Sequence, residues 1–154
     1  MPILDHLEPR AVFSCFEQLC AIPHGSGNTK AISDYLVRFA AEHQLRCIQD
    51  AHNNIIIFAP GTPGYESAAP VILQGHMDMV CEKNSDVEFD FDNDPIRTRI
   101  DGEWVRAEGT TLGADCGIGM AAALAVLLDP SVEHGPLEAL FTVDEETGLT
   151  GAFG

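Results

Sequence analysis

The sequence predicts an α/β fold in which a mixed sheet is sandwiched by helices. Segments with the apolar spacing of a helix alternate along the chain with short, continuous apolar runs. The runs at 54–59, 71–74 and 137–143 have the length of buried strands. Strands that alternate with helices in this way are typical of α/β proteins with a mostly parallel or mixed sheet.

Two amphipathic helices are predicted before the first strand. Pro9 opens the first, from about Arg10 to Leu19. The second runs from about Thr29 to His43, with Ser26 or Asn28 as its cap. Both have an apolar stripe at helical spacing, formed by Val12, Phe13, Phe16 and Leu19 in the first and by Ile32, Tyr35, Leu36 and Phe39 in the second.

The remaining elements follow from turn signals and local composition. A strand at 46–49 precedes the one at 54–59, and a loop rich in Gly, Pro and Ser leads to the strand at 71–74. Asp101-Gly102 lies between two alternating segments and predicts a hairpin. The segment Met120 to Leu128 is rich in Ala and Leu and predicts a helix.

Composition restricts the classes of partner. The chain has 154 residues and a formal net charge of -16. Such a charge disfavours binding to nucleic acids or anionic membranes, because both are polyanions. Acids near the N-terminus, Asp5 and Glu8, replace the basic segment of a signal peptide, so we predict a cytoplasmic protein. Five cysteines without metal-site spacing fit reduced thiols in that compartment.

Ionisable residues recur where predicted strands end or turns begin. His76 and Asp78 follow the strand at 71–74, Asp115 lies in a Gly-rich turn, and Glu145 and Glu146 follow the strand at 137–143. In open α/β sheets, ligands bind beyond the carboxyl ends of the strands. This recurrence is the main functional signal in the composition and pattern of the chain.

His76 and Asp78 have several interpretations. His76 alone is more often a hydrogen-bonded structural histidine than a metal ligand. A carboxylate two residues further on can accept the second ring N–H, as it does for metal-bound histidines. The same pair would also serve a serine or cysteine nucleophile. Cys116, near a helix N-terminus, is such a nucleophile candidate, although neighbouring acids would oppose its thiolate form.

The other acids also have structural alternatives. Asp115 is either a helix cap or a functional carboxylate held between glycines. Glu145 and Glu146 form either a solvated turn or a divided pair, in which one binds metal and the other takes a proton from water. Phosphate-loop and dinucleotide-binding spacings are absent from the sequence, and Pro95 excludes a calcium loop after the acidic run at 90–94.

Three segments together resemble the co-catalytic zinc peptidases of the aminoacylase and glutamate carboxypeptidase superfamily. They read LQGHMDMV, GTTLGADCGIGMAAALAVL and TVDEETGLTGAFG. Within the superfamily the chain is most similar to the bacterial aminoacyl-histidine dipeptidases, which cleave Xaa-His dipeptides such as carnosine. The similarity extends to IPHGSGN, IDGEWVRA and HGPLEAL, so it spans the chain.

The resemblance implies a phosphorylase/hydrolase-like fold and a site with two Zn²⁺ ions, with Co²⁺ or Mn²⁺ as alternatives. His76 would bind one ion, with Asp78 orienting its ring. Asp115 would bridge both ions, and the peptide bond after it would be cis. Glu145 would be the general base and Glu146 a ligand of the second ion. The implied partners are a small peptide substrate and, as one option, a second copy of the whole protein.

Length is the main departure from the family. Its members have several hundred residues and supply a further Asp ligand, a C-terminal His ligand and a lid or dimerisation domain. We therefore expect residues 1–154 to be the N-terminal portion of a catalytic domain, a fragment of a longer protein. Each ion would then lack one of its usual three protein ligands. The alternative to a dipeptidase is a non-catalytic fragment with at most weak metal binding.

Overall fold

The computed structural model describes residues 2–153 and contains three α-helices, six strands and a short terminal 3₁₀-helix. The elements are α1 (Arg10–Cys20), α2 (Lys30–Glu42), β1 (Arg46–Gln49), β2 (Ile55–Ala59), β3 (Val71–His76), β4 (Thr98–Asp101), β5 (Trp104–Ala107), α3 (Ala114–Leu128), β6 (Leu137–Thr142) and the 3₁₀-helix Thr150–Phe153.

Four strands form a mixed sheet in the order β1-β2-β6-β3. Strands β1, β2 and β6 pair antiparallel, whereas β3 and β6 pair in parallel, with His76 opposite Thr142. Parallel neighbours end at the same edge of a sheet, so the segments after β3 and β6 emerge side by side. Strands β4 and β5 form a separate hairpin.

The core lies between one face of the sheet and the three α-helices. Ile55 and Ile57 of β2 and Ala139 and Phe141 of β6 are buried there, in one cluster with apolar residues of all three helices. Alternate residues of the same strands are only partly buried, which is the period-2 pattern of a sheet. On the opposite face, Ile72 of β3 is 59% exposed.

The α/β class and the mixed sheet are confirmed. Several details differ from the predictions. Within residues 2–153 the three α-helices pack against one face of the sheet, and no α-helix is described on the other face, where the predicted sandwich requires one. The cap of α2 is Thr29, so the prediction of Ser26 or Asn28 is wrong, and Ser26 uses its hydroxyl elsewhere. Helix α3 is assigned from Ala114, with non-helical backbone angles at Asp115 and Cys116.

Glycines explain why the sequence predicts too late a start for α3. Glycine is a poor helix former, so the predicted helix begins only at Met120, after the glycine-rich segment. In the structure a Cβ atom at Gly117 would lie 3.1 Å from the ring of Phe16 on α1. Glycine therefore permits α1 and α3 to approach closely at this turn, and packing outweighs helix propensity.

Within residues 2–153, none of the helices has the length and apolar composition that a membrane span requires.

All five cysteines are free thiols. Cys15 and Cys20 of helix α1 are buried in the core, and burial raises the pKa of Cys20 to about 12. Such a thiol stays protonated at neutral pH and is unreactive.

Candidate metal centre

His76 is the last residue of β3 and is 7% exposed. Its Nδ1 atom lies 3.0 Å from the Asp78 carbonyl oxygen and 3.3 Å from the Asp78 carboxylate. Both groups only accept hydrogen bonds, so Nδ1 carries the ring proton. In the neutral ring this leaves the lone pair on Nε2, the atom that faces the other acids.

Asp115 faces His76 from the start of α3. The Asp115–Cys116 peptide bond is cis, as the resemblance implied. Asp115 Oδ1 lies 3.2 Å from His76 Nε2, and its side chain is 90% exposed. A carboxylate on a helix cap would bond its own helix, but this one reaches a strand end 39 residues earlier in the chain.

Glu145 and Glu146 reach the same place from the segment after β6. Asp144, just before them, has a positive φ of 55°, which turns the chain sharply at the end of the strand. Glu145 Oε2 lies 4.0 Å from His76 Nε2. Glu146 and Asp115 line a common cavity of about 230 Å³ with Val80 and Leu112. The structure thus brings all the predicted site residues together.

Asp78 joins the two strand ends. Its side chain is fully buried, and it lies beyond the end of β3 rather than within the strand. Oδ1 accepts the backbone N–H of Glu145 at 3.0 Å, and Oδ2 accepts that of Glu146 at 3.3 Å. Oδ2 also accepts the Ser26 hydroxyl at 2.7 Å. Asp78 therefore contacts the His76 ring while it fixes the backbone of both glutamates.

The charges around His76 favour a cation on its ring. Burial lowers the pKa of His76, but the hydrogen bond to Asp115 and the charges of Asp78 and Glu145 raise it, and the pKa lies above its ordinary value. With Nδ1 already donating, Nε2 and the Asp115 oxygen face each other as two acceptors. Only a proton or a metal ion between them satisfies both atoms.

The donor atoms fit a zinc centre. One ligand atom each from His76, Glu145 and Glu146 lies within 4.8 Å of the others, and the same holds for His76, Asp115 and Cys116. Imidazole nitrogen, carboxylate oxygen and thiolate sulfur are the ligands that Zn²⁺ takes in proteins. The two overlapping groups share His76.

The Cys116 side chain, at the start of α3, packs against β3. A Cβ atom at Gly75 would lie 3.1 Å from its sulfur, and one at Gly119 would lie 2.8 Å from it. The thiol thus occupies space that two glycines leave open, close to the donor atoms of His76 and Asp115. Cys116 is therefore a packed side chain beside the candidate metal donors.

Sequence reasoning missed several residues that hold the site. Gly27 donates its backbone N–H to Asp144 Oδ1 at 2.7 Å. Asn54, before β2, accepts the Val143 N–H at 3.0 Å and donates to the Gly151 carbonyl at 2.9 Å. The three hydrogen bonds join residues that are 117, 89 and 97 positions apart in the chain, in that order. No local sequence pattern could have predicted them.

Asp78→Ala is expected to destabilise the protein. The substitution leaves the Ser26 hydroxyl and the Glu145 and Glu146 N–H groups without their acceptor. The three hydrogen bonds are partly buried, and an unsatisfied buried donor costs about 1–3 kcal/mol, so we expect a loss of roughly 2 kcal/mol or more in urea unfolding. The control is the exposed Asp86→Ala, for which we expect a change below about 0.5 kcal/mol. Equal effects of the two substitutions would contradict the role of Asp78 as a structural acceptor.

Known proteins resemble this chain in sequence and in fold. The model of peptidase family M20/M25/M40 matches residues 72–154, a segment that contains every candidate site residue. The chain belongs to this family. It is 51% identical over 154 residues to the cytosol non-specific dipeptidase of Escherichia coli, covering 100% of this chain and 32% of that protein.

Solved structures extend the comparison. Aminoacylhistidine dipeptidase from Vibrio alginolyticus matches with a TM-score of 0.95 and 49% identity, over 98% of this chain and 31% of the solved chain. A dinuclear metal-binding M20 peptidase from Bacillus subtilis shares the fold at a TM-score of 0.54 and 15% identity, over 88% and 35%. This M20-family chain thus spans about a third of the length of the relatives it matches.

Proposed function

We propose that the protein is a metal-dependent dipeptidase with a two-zinc centre at the carboxyl ends of β3 and β6. The observation that carries the proposal is the convergence of His76, Asp115, Glu145 and Glu146 from three separate segments onto one small volume. Carboxylates and one imidazole meet at this edge of the sheet, and these are donors that divalent metal ions take in proteins.

Each side chain has a distinct role in this proposal. His76 and Asp115 would hold the first ion, and Asp115, whose side chain is 90% exposed, would also reach the second. Glu146 would hold the second ion. Zinc would supply Lewis acidity, which polarises the peptide carbonyl and lowers the pKa of water.

Glu145 is the general base of the proposed reaction. It takes a proton from the attacking water and delivers it to the leaving amine, since a carboxylate within hydrogen-bond reach can serve both steps. Asp78 fixes the backbone of Glu145 and so keeps its carboxylate on the side of His76.

Co²⁺ or Mn²⁺ would fit the nitrogen and oxygen donors of the proposed zinc centre.

The substrate class proposed is a dipeptide of the Xaa-His, carnosine-like type. It is supported by the similarity to an aminoacylhistidine dipeptidase and to a non-specific dipeptidase. Residues 1–154 would form the N-terminal portion of the catalytic domain, in a cytoplasmic protein that can dimerise. A net charge of -16 is consistent with a protein that does not bind nucleic acid or membranes.

Metal removal tests the proposed function. We expect the whole protein to hydrolyse an Xaa-His dipeptide, to lose that activity after dialysis against a chelator, and to regain it with zinc. Co²⁺ and Mn²⁺ are added in parallel to define the preferred ion. Hydrolysis that survives complete metal removal would contradict the proposal.

A second candidate applies to residues 1–154 in isolation. In the described part of the chain the proposed first ion would have His76 and Asp115, which lie 3.2 Å apart. The second would have Asp115 and Glu146, which line one cavity, whereas catalytic zinc usually has three protein ligands. We therefore propose that these residues alone bind zinc weakly and do not turn over dipeptides. Rapid turnover by the isolated chain would exclude this candidate.

A further inference from the structure

We propose that Ser26 is a positioning residue for the turn that carries Glu145 and Glu146, acting through Asp78. The inference rests on the proposed function, because that function gives the two glutamates their roles. Ser26 does not contact the candidate metal donors themselves, and its hydroxyl bonds a buried carboxylate behind them.

The loop at residues 24–28 is docked on the segment after β3. The Met79 N–H donates to the His24 carbonyl at 3.1 Å, and the Ser26 N–H donates to the Met79 carbonyl at 3.3 Å. Gly25 and Met79 form an isolated parallel bridge between these bonds. This backbone pairing fixes where the Ser26 side chain starts, and its hydroxyl then lies 2.7 Å from Asp78 Oδ2.

The same loop contacts the glutamate turn on two sides. Asp78 Oδ2 accepts both the Ser26 hydroxyl and, at 3.3 Å, the Glu146 N–H. The Gly27 N–H donates directly to Asp144 Oδ1 at 2.7 Å. The loop therefore spans the distance between the end of β3, which carries His76, and the end of β6, which carries the glutamates.

Loss of the Ser26 hydroxyl would remove one of the hydrogen bonds that hold Asp78 Oδ2 in place. The Ser26 bond is the shortest that Asp78 Oδ2 makes, and without it the longer bond from Glu146 is left to orient that oxygen. A carboxylate that rotates would shift the backbone of both glutamates. Misplacement of reacting groups by about 1 Å can cost a factor of about 10² in rate.

The test compares Ser26→Ala with Ser26→Thr in the whole protein. We expect Ser26→Ala to lower kcat for a dipeptide by about 10- to 100-fold, the range typical for partners that orient metal-site residues, with a small change in KM. It should also shift the visible absorption of the Co²⁺-loaded protein, because ligand placement changes. Ser26→Thr keeps the hydroxyl and should restore both readouts. Ser26→Val, which has the shape of Thr without the hydroxyl, should not.

Thr62→Val is the matched control. Thr62 is half-buried, and its hydroxyl donates to the His134 carbonyl at 3.1 Å, before the start of β6 and therefore at the opposite end of that strand from the site. We expect this variant to lose stability in urea while its kcat and cobalt spectrum stay unchanged. It separates general destabilisation from the placement of Glu145 and Glu146.

The outcomes distinguish this inference from the proposed function. Unchanged kcat and cobalt absorption in Ser26→Ala and Ser26→Val would overturn the role of Ser26, while the wild-type protein still hydrolyses dipeptides. A wild-type protein without hydrolysis would overturn the proposed function. In that case the cobalt spectra alone would test the role of Ser26. The role would be supported if Ser26→Ala and Ser26→Val shift the absorption of the Co²⁺-loaded protein and Ser26→Thr does not.

Discussion

Glu145→Gln in the whole protein is expected to abolish dipeptide hydrolysis while the zinc content stays at its wild-type value. The amide keeps the shape of the side chain and its contact with His76, but it cannot accept a proton from water. General bases contribute about 10²–10⁴-fold to enzymatic rates, so we expect kcat to fall by at least that range. Zinc per chain and kcat are measured on the same preparation.

Two companion variants make this result specific. Glu146→Gln is expected to lose zinc together with activity, because Glu146 is a proposed ligand rather than the base. Glu138 lies near the start of β6, opposite Ile72 and at the other end of the strand from the glutamate turn, so Glu138→Gln should keep both zinc and activity. A Glu145→Gln variant that still turns over substrate would show that another group takes the proton.

His76→Ala is expected to have the largest effect on metal binding. It removes the imidazole at the centre of both groups of candidate ligands. Changes in residues that only support a ligand cost about 10- to 100-fold in metal affinity, so the loss of a ligand should cost at least about 100-fold. Competition with a chromophoric chelator measures the affinity for zinc.

His52→Ala is the control for that measurement. His52 is exposed in the turn between β1 and β2 and is not among the candidate ligands. Its removal should leave zinc affinity unchanged. Equal zinc affinity in His76→Ala and wild type would remove His76 from the proposed centre.

Much of the fold was predictable because local chemistry determines it. Apolar spacing located every end of α1 and α2 to within one residue, and the turn signal Asp101-Gly102 located the hairpin. The strand before His76 was predicted two residues too short, since Gly75 and His76 are not typical strand residues. Their place in β3 comes from pairing with Phe141 and Thr142 of β6.

The arrangement of the candidate site needed tertiary structure. Acids and a histidine at strand ends indicated a functional edge, but only the parallel pairing of β3 with β6 brings those ends together. Asp78 illustrates the difference. Its proximity to His76 follows from the sequence, because the two residues are two positions apart. Its hydrogen bonds to Ser26 and Glu145 join residues that are 52 and 67 positions apart. Such long-range acceptors leave no periodic trace in the chain.

The measurement that tests the central claim most directly is anomalous X-ray scattering at the zinc edge from crystals of the whole protein. We predict two peaks about 3.5–4 Å apart, the usual spacing of a co-catalytic pair, with Asp115 between them. One peak should lie at His76 Nε2 and the other at the Glu146 carboxylate. Zinc bound elsewhere, with none at His76 and Asp115, would contradict the proposed dipeptidase centre.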